Sequence, residues 1–208
     1  MKIGLLSDAH GDRGAFETGV RAVEGRGVDR IYFLGDSVGY TPGAAVVDAI
    51  DELCIPAIAG NHEAMVLATK PGAPDDRYHL AQTRADLGEE RLARIAAWPQ
   101  ARIIGGRALL VHGSPRDFTY EYVYPDSSLA PFVPCPWSVV CMGHTHRPFV
   151  RRAGHTTFVN VGSCALPRDA DRRGAAAIVD TDTAAAEIIR FDIDRSAPVA
   201  VSTGGFEQ

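Results

Sequence analysis

Five of the chain's seven histidines lie in four short stretches, each directly after an apolar run. The stretches are Asp8-Ala9-His10, Gly60-Asn61-His62-Glu63, Val111-His112-Gly113 and Gly143-His144-Thr145-His146. A fifth stretch, Gly35-Asp36, is placed in the same way and has no histidine. Histidine, aspartate and asparagine supply the nitrogen and oxygen donors that bind divalent metals. Seven such donors exceed the needs of one ion and suit two ions that share a ligand. Taken singly, each stretch has an ordinary reading. Asp-x-His can be a turn with an exposed histidine, and Gly-Asn-His-Glu can be a helix start with Asn61 as N-cap and Glu63 in the first turn. Their joint order and placement carry the signal.

The elements that must position these groups alternate through the first 60 residues. Residues 2–7 are a short apolar run that reads as a buried strand. Residues 13–26 place Ala15, Phe16, Val20 and Val23 at helical spacing, with Asp12 as N-cap. Ile31 to Leu34 is a second strand. Pro42 opens a helix to about Leu53, and Ile55 to Ala59 is a third strand. Strands so continuously apolar are buried on both faces, as in a parallel α/β unit. In such sheets ligands sit at the carboxyl ends of strands, where Asp8, Asp36 and Asn61 fall. His112 and His144 follow later strands in the same manner. In extended chain, residues two apart project to one side, so Asp8 with His10 and His144 with His146 can each present two donors together.

Residues 62–97 read as mostly helical, interrupted at Pro71-Gly72-Ala73-Pro74. After Arg102 short strands follow one another, at about 101–105, 108–112, 138–142, 148–152, 156–160, 174–180 and 185–192. This half reads as mainly antiparallel. The proline-rich stretch 113–137 reads as a long irregular loop, a kind usually tied to function. The expected organisation is one domain over residues 1–195 and a frayed tail over 196–208.

The net charge of −5 provides no electrostatic footprint for stable nucleic-acid binding. Neither a signal peptide nor a membrane-spanning run is evident, which points to the cytoplasm. Cys54, Cys135, Cys141 and Cys164 lack metal-binding spacing and read as reduced, buried thiols. The sequence leaves the oligomeric state open.

The five stretches, in this order, resemble the calcineurin-like metallophosphoesterase superfamily. Leu34-Gly35-Asp36-Ser37-Val38-Gly39-Tyr40, His112-Gly113-Ser114-Pro115-Arg116-Asp117 and Val159-Asn160-Val161-Gly162-Ser163 resemble its small bacterial phosphodiesterase-like branch. Asp12 and Val161 depart from the family's usual asparagine and proline. The resemblance implies an α/β/β/α sandwich of two packed mixed sheets flanked by helices. It implies that Asp8, His10 and His146 hold one metal, that Asn61, His112 and His144 hold the other, and that Asp36 bridges both. His62 then stands beside the metals as the catalytic group without ligating them. Manganese or iron is the metal the resemblance implies; zinc, cobalt and nickel also suit the donors.

The function that follows is a binuclear-metal-dependent phosphohydrolase acting on a small phosphorylated substrate. Phosphodiester hydrolysis by a metal-bridging hydroxide is the foremost expectation, because no insertion is large enough to cap the site. A phosphoprotein or phosphomonoester phosphatase is one alternative. A non-catalytic interaction scaffold of the same fold is another, set against a complete ligand set. Tyr40, Arg116 and Arg147 are candidate substrate contacts. Arg116 suits a phosphate or, equally, a nearby carboxylate. Tyr120, Tyr122 and Tyr124 can form an aromatic rim or ordinary packing. His79 and His155 lie outside every motif and read as surface residues.

Overall fold

In the computed structural model, which describes residues 1–74 and 77–193, two mixed sheets pack face to face. The first sheet contains β1 (Lys2–Leu6), β2 (Arg30–Phe33), β8 (Gly174–Asp180) and β9 (Ala186–Phe191) in the order β2-β1-β8-β9. The second contains β3 (Ala101–Ile104), β4 (Ala108–Val111), β5 (Val139–Met142), β6 (Phe149–Ala153) and β7 (Thr156–Asn160) in the order β3-β4-β5-β7-β6. The helices are α1 (Arg13–Glu24), α2 (Ala44–Glu52), α3 (Asn61–Ala68) and α4 (Leu80–Ala96). This is the architecture the sequence predicts: two packed mixed sheets flanked by helices. The tail from Ser196 lies outside the described residues.

The period-2 alternation of the strands builds the layers. Ile3, Leu5, Tyr32, Leu34, Leu110 and Cys141 fill the space between the sheets. The alternate residues Leu6, Ile31 and Phe33 face outward onto Phe16 and Val20 of α1 and Val46 and Ile50 of α2. In the second sheet Leu109, Val111, Val140 and Met142 turn away from the interface and are covered by Val123, Leu129, Phe132 and Cys135. That cover comes from the long loop 113–137, which winds into a 3₁₀ turn at Ala130–Phe132.

Several expectations change. The third strand, Ile55 to Ala59, shrinks to one bridge between Phe33 and Ala57, with Pro56 offering its carbonyl but no N–H to β2. The second helix begins at Ala44 behind an N-cap at Gly43, rather than at Pro42. The second half is mainly antiparallel by pairing, as expected. Within it β4, β5 and β7 run parallel to one another, and β8 and β9 leave that half to join β1 in the first sheet. Cys54 is exposed rather than buried, because it sits past the end of α2; the other three cysteines are buried and all four are free. Asp12 caps α1 as expected, accepting the Ala15 N–H at 2.9 Å. His79 and His155 are exposed. No helix among the described residues is long and apolar enough to cross a membrane.

Candidate metal centre

The carboxyl ends of β1 and β2 in one sheet and of β4 and β5 in the other open at the same edge of the sandwich. Asp8, His10, Asp36, His112, His144 and His146 leave those ends and are all buried. Asn61 is the first residue of α3, behind the N-cap Gly60, and not itself the cap. Asp8, His10 and His146 gather into one cluster; Asp36, His112 and His144 gather into another. Asn61 Oδ1 lies 3.1 Å from His112 Nε2, which places it with the second cluster.

The backbone that brings them together is not extended. Asp8, His10, Asp36, His144 and His146 have φ of 58°, 45°, 58°, 68° and 57°, in the left-handed region. Side chains rarely tolerate that region, and residues found there mark sites where the surroundings over-determine the conformation. Asp8 and His10, and likewise His144 and His146, therefore converge through tight turns rather than through extended-chain alternation. The turns are tied across the sheets. Asp8 N donates to Gly35 O at 3.0 Å, His10 N to Asp36 O at 3.0 Å, and His144 N to Asp8 Oδ2 at 3.1 Å.

Each of the four clustered imidazoles has one nitrogen against a main-chain carbonyl. His10 Nδ1 meets Val38 O at 3.0 Å, His112 Nδ1 meets Leu34 O at 2.7 Å, His146 Nδ1 meets Leu166 O at 2.6 Å, and His144 Nε2 meets Tyr120 O at 3.2 Å. A carbonyl can only accept, so the proton sits on that nitrogen and the opposite one presents a lone pair. Such partners fix tautomer and ring orientation in metal-binding histidines.

The lone pairs then converge. His10 Nε2 and His146 Nε2 stand 3.1 Å apart, two acceptors with no donor between them. Asp8 Oδ1 is buried and accepts no hydrogen bond, although His146 Nε2 is 3.1 Å away. Burial pushes the His10 imidazole down to about 3 and His144 to about 4, which favours the neutral, ligating form. His112 is buried too, but the Asp36 carboxylate beside it overcomes that burial and lifts it to about 10. Facing acceptors at His10 and His146, an orphaned carboxylate oxygen, and the His10 and His144 imidazoles held neutral fit divalent cations.

Asp36 stands at the middle. Its Oδ1 accepts the His62 N–H at 2.9 Å. Its Oδ2 is 3.2 Å from His112 Nε2 and 3.9 Å from His10 Nε2, so one oxygen faces both clusters. The turn that carries it is clamped by Glu63, a group the sequence reading left as a helix first-turn residue. The buried Glu63 carboxylate accepts N–H groups from Gly60, Asp36 and Ser37 at 2.7, 2.8 and 2.7 Å, and the Ser37 hydroxyl at 2.7 Å. Burial and then the Asp36 charge raise its pKa, while those donors oppose the rise.

His62 faces the same centre. Its Nε2 lies 3.9 Å from Asp36 Oδ2 and forms a third possible donor group with His10 and Asp36. Its ring is packed among His10, Tyr78 and Tyr40, with centroids at 4.8, 5.0 and 5.1 Å. Its Nδ1 is buried without a hydrogen-bond partner and lies against Gly39.

Of the candidate substrate contacts, Tyr40 is at the centre, edge-on to His10 at 4.9 Å. Arg147 lies 5.7 Å over the Tyr124 ring and donates to Arg168 O at 3.1 Å. Arg116 takes the carboxylate that the sequence left open: it pairs with Glu121 and lies over Phe132. Tyr122 stacks on His144 at 3.7 Å and Tyr124 stacks on Tyr122 at 5.7 Å, so two of the alternating tyrosines form a rim. Arg168 and Tyr78 also stand at the mouth, and no motif in the sequence marks them.

A calcineurin-like phosphoesterase superfamily domain matches residues 1–184. The chain belongs to that superfamily. Its members are metal-dependent phosphoesterases, and the donor clusters above are of the kind that metals require. A metallophosphoesterase from Sphaerobacter thermophilus superposes with a TM-score of 0.80 at 26% identity, over 93% of this chain and 90% of that one. The hypothetical protein PH1004 of Pyrococcus horikoshii also gives a TM-score of 0.80, at 21% identity over 93% and 88% of the two chains. Protein MJ0912 of Methanocaldococcus jannaschii is 26% identical over 92% of this chain and 88% of its own length.

Proposed function

We propose that this superfamily member is a binuclear-metal-dependent phosphohydrolase that cleaves phosphodiester bonds in a small phosphorylated substrate. The observation that carries the reading is the set of four imidazoles, each with one nitrogen on a carbonyl and each clustered with Asp8 or Asp36. Asp8, His10 and His146 would hold one ion, and Asn61, His112 and His144 the other. Asp36 Oδ2, facing members of both clusters, would bridge them. Nitrogen and oxygen donors without thiolate suit manganese or iron, with zinc, cobalt or nickel also accepted. When bound, two such ions supply Lewis-acid polarisation of water and neutralise charge on the phosphoryl oxygens.

The chain's own groups do the rest. The carbonyl ties hold the imidazoles in their ligating tautomers without waiting for an ion. His62 is not needed to complete either donor set. Its Nε2, aimed at the centre, holds a proton for the departing ester oxygen as the bond to phosphorus breaks. Tyr40 packs on both His10 and His62 and helps fix the orientation of their rings. Among the described residues no separate domain sits over the mouth, which favours a substrate with a second ester group. The intact donor set speaks against a non-catalytic scaffold.

The test is a panel with added manganese that compares bis(4-nitrophenyl) phosphate, 4-nitrophenyl phosphate and a phosphopeptide. The diester is expected to turn over fastest. Preference for either of the others moves the assignment to a monoester or phosphoprotein phosphatase. Absence of turnover with every suitable metal overturns the enzyme assignment.

A further inference from the structure

The loop after β7, residues 161–173, carries three arginines and two aspartates, and they divide by direction. Asp169 pairs with Arg190, and Asp171 pairs with Arg173 and Arg190. Both carboxylates of the loop are thereby taken up on its far side. Arg168 and Arg172 have no ion-pair partner among the described residues, although the chain as a whole is acidic at −5. With Tyr40, Leu166 and Pro167 they line one cleft of about 360 Å³.

This cleft adjoins the metal centre through fixed contacts. The Leu166 carbonyl meets His146 Nδ1 at 2.6 Å, and Arg168 N donates to His146 O at 3.1 Å. The Ser163 hydroxyl donates to the Asp8 carbonyl at 2.7 Å and accepts the Leu166 N–H at 2.7 Å. The loop is therefore bound to two predicted ligand residues. The Arg168 guanidinium lies 5.9 Å from the Tyr40 ring centroid, and that ring lies 4.9 Å from His10. One Arg168 N–H donates to the Tyr40 hydroxyl at 2.9 Å, which holds the fork in place and leaves its other donors free.

Two unpaired guanidinium groups set beside a phosphate-binding centre match a second phosphate, which a fork of N–H donors binds in bidentate fashion. We propose that Arg168 and Arg172, braced by Tyr40, form a second-phosphate subsite, so that the preferred substrate carries a further phosphate beside the scissile one. The proposal rests on the phosphohydrolase reading above.

The test compares two substrates with the same scissile bond and leaving group: thymidine 5′-(4-nitrophenyl phosphate) and its 3′-phosphorylated counterpart. The second is expected to show kcat/KM at least roughly tenfold higher, carried in KM, because charge-assisted hydrogen bonds are the strong ones. The double substitution Arg168→Gln with Arg172→Gln is expected to remove the preference, and titration calorimetry should show the same loss for thymidine 3′,5′-bisphosphate against thymidine 5′-monophosphate. Both side chains are exposed, so the fold is retained. Turnover of both esters without preference overturns the subsite and leaves the phosphohydrolase reading standing. If neither ester turns over, that reading fails, and the calorimetric comparison decides the subsite alone: equal affinity for the two nucleotides overturns it.

Discussion

Gly39→Ala isolates what His62 does from what the metals do. Gly39 has φ +89°, and a Cβ added there would stand 1.9 Å from His62 Nδ1. The ring cannot step aside, because His10, Tyr40 and Tyr78 pack on it with centroids within 5.1 Å. Alanine in left-handed backbone costs about 1–2 kcal/mol before any clash. In a chain of this length that lowers Tm by roughly 2–8 °C. Displacing a positioned general acid costs about 10²–10⁴-fold in rate. His62→Ala should lose activity to the same degree while keeping both metals, because His62 completes neither donor set. The double variant should then be no slower than either single one, since the methyl group acts only through the ring it displaces. The assay is kcat on a diester with metal content by elemental analysis for all three variants. Near-normal kcat in Gly39→Ala, multiplicative losses in the double variant, or loss of metal from His62→Ala would each refute the reasoning.

Asp36→Asn should weaken both metal sites by more than roughly tenfold, since one carboxylate oxygen faces both clusters; two ions retained with unchanged affinity would remove Asp36 from the bridging role. Metal uptake at pH 7 should release the proton held by His112. His112, lifted to about 10, must give its proton up, whereas His10 and His144, held at about 3 and 4, have none to give. The release should fade as pH rises through 10, and titration calorimetry in buffers of different ionisation enthalpy reads it; buffer-independent heats at pH 7 would contradict it.

Residue types that act locally were legible in the sequence. Asp12 announces the start of α1 through its own side chain, and the apolar runs of β1, β2 and β4 announce double-sided burial. The clustering of Asp8, His10, Asp36, Asn61, His112, His144 and His146 was legible because Asp, His and Asn recur directly after those runs. What escaped depends on partners distant in sequence. Ile55 to Ala59 has strand composition, yet Pro56 and the edge of β2 allow it a single bridge. β8 has the look of a meander strand, yet it pairs antiparallel with β1, more than 170 residues away, through Ile3↔Val179 and Leu5↔Ala177. Glu63 looked like a helix first-turn acid, and only the approach of the Asp36 turn reveals its second set of donors. The convergence of Asp8 with His10 was foreseen for a reason that does not hold, since the turns and not the pleat aim both side chains.

Those turns also bear on what comes first, fold or metal. Five ligand residues sit at positive φ, at about 1–2 kcal/mol each for a residue with a Cβ. Aspartate and histidine are among the side chains that visit this region most readily, which places the sum toward the low end of roughly 5–10 kcal/mol. That is comparable with the whole net stability of an ordinary domain. Small metal-dependent domains meet such a cost with the ion itself and are unfolded without it. Here the strained residues leave strands buried on both faces, with Leu5, Leu6, Phe33 and Leu110 at or near zero exposure just beneath them. Their main chains are bonded across the sandwich, and their rings are bonded to carbonyls. The hydrophobic layers therefore hold the donors in place ahead of the metals. Ions bound there would enter a site whose strain the core has already met, and their binding energy would not be needed for folding.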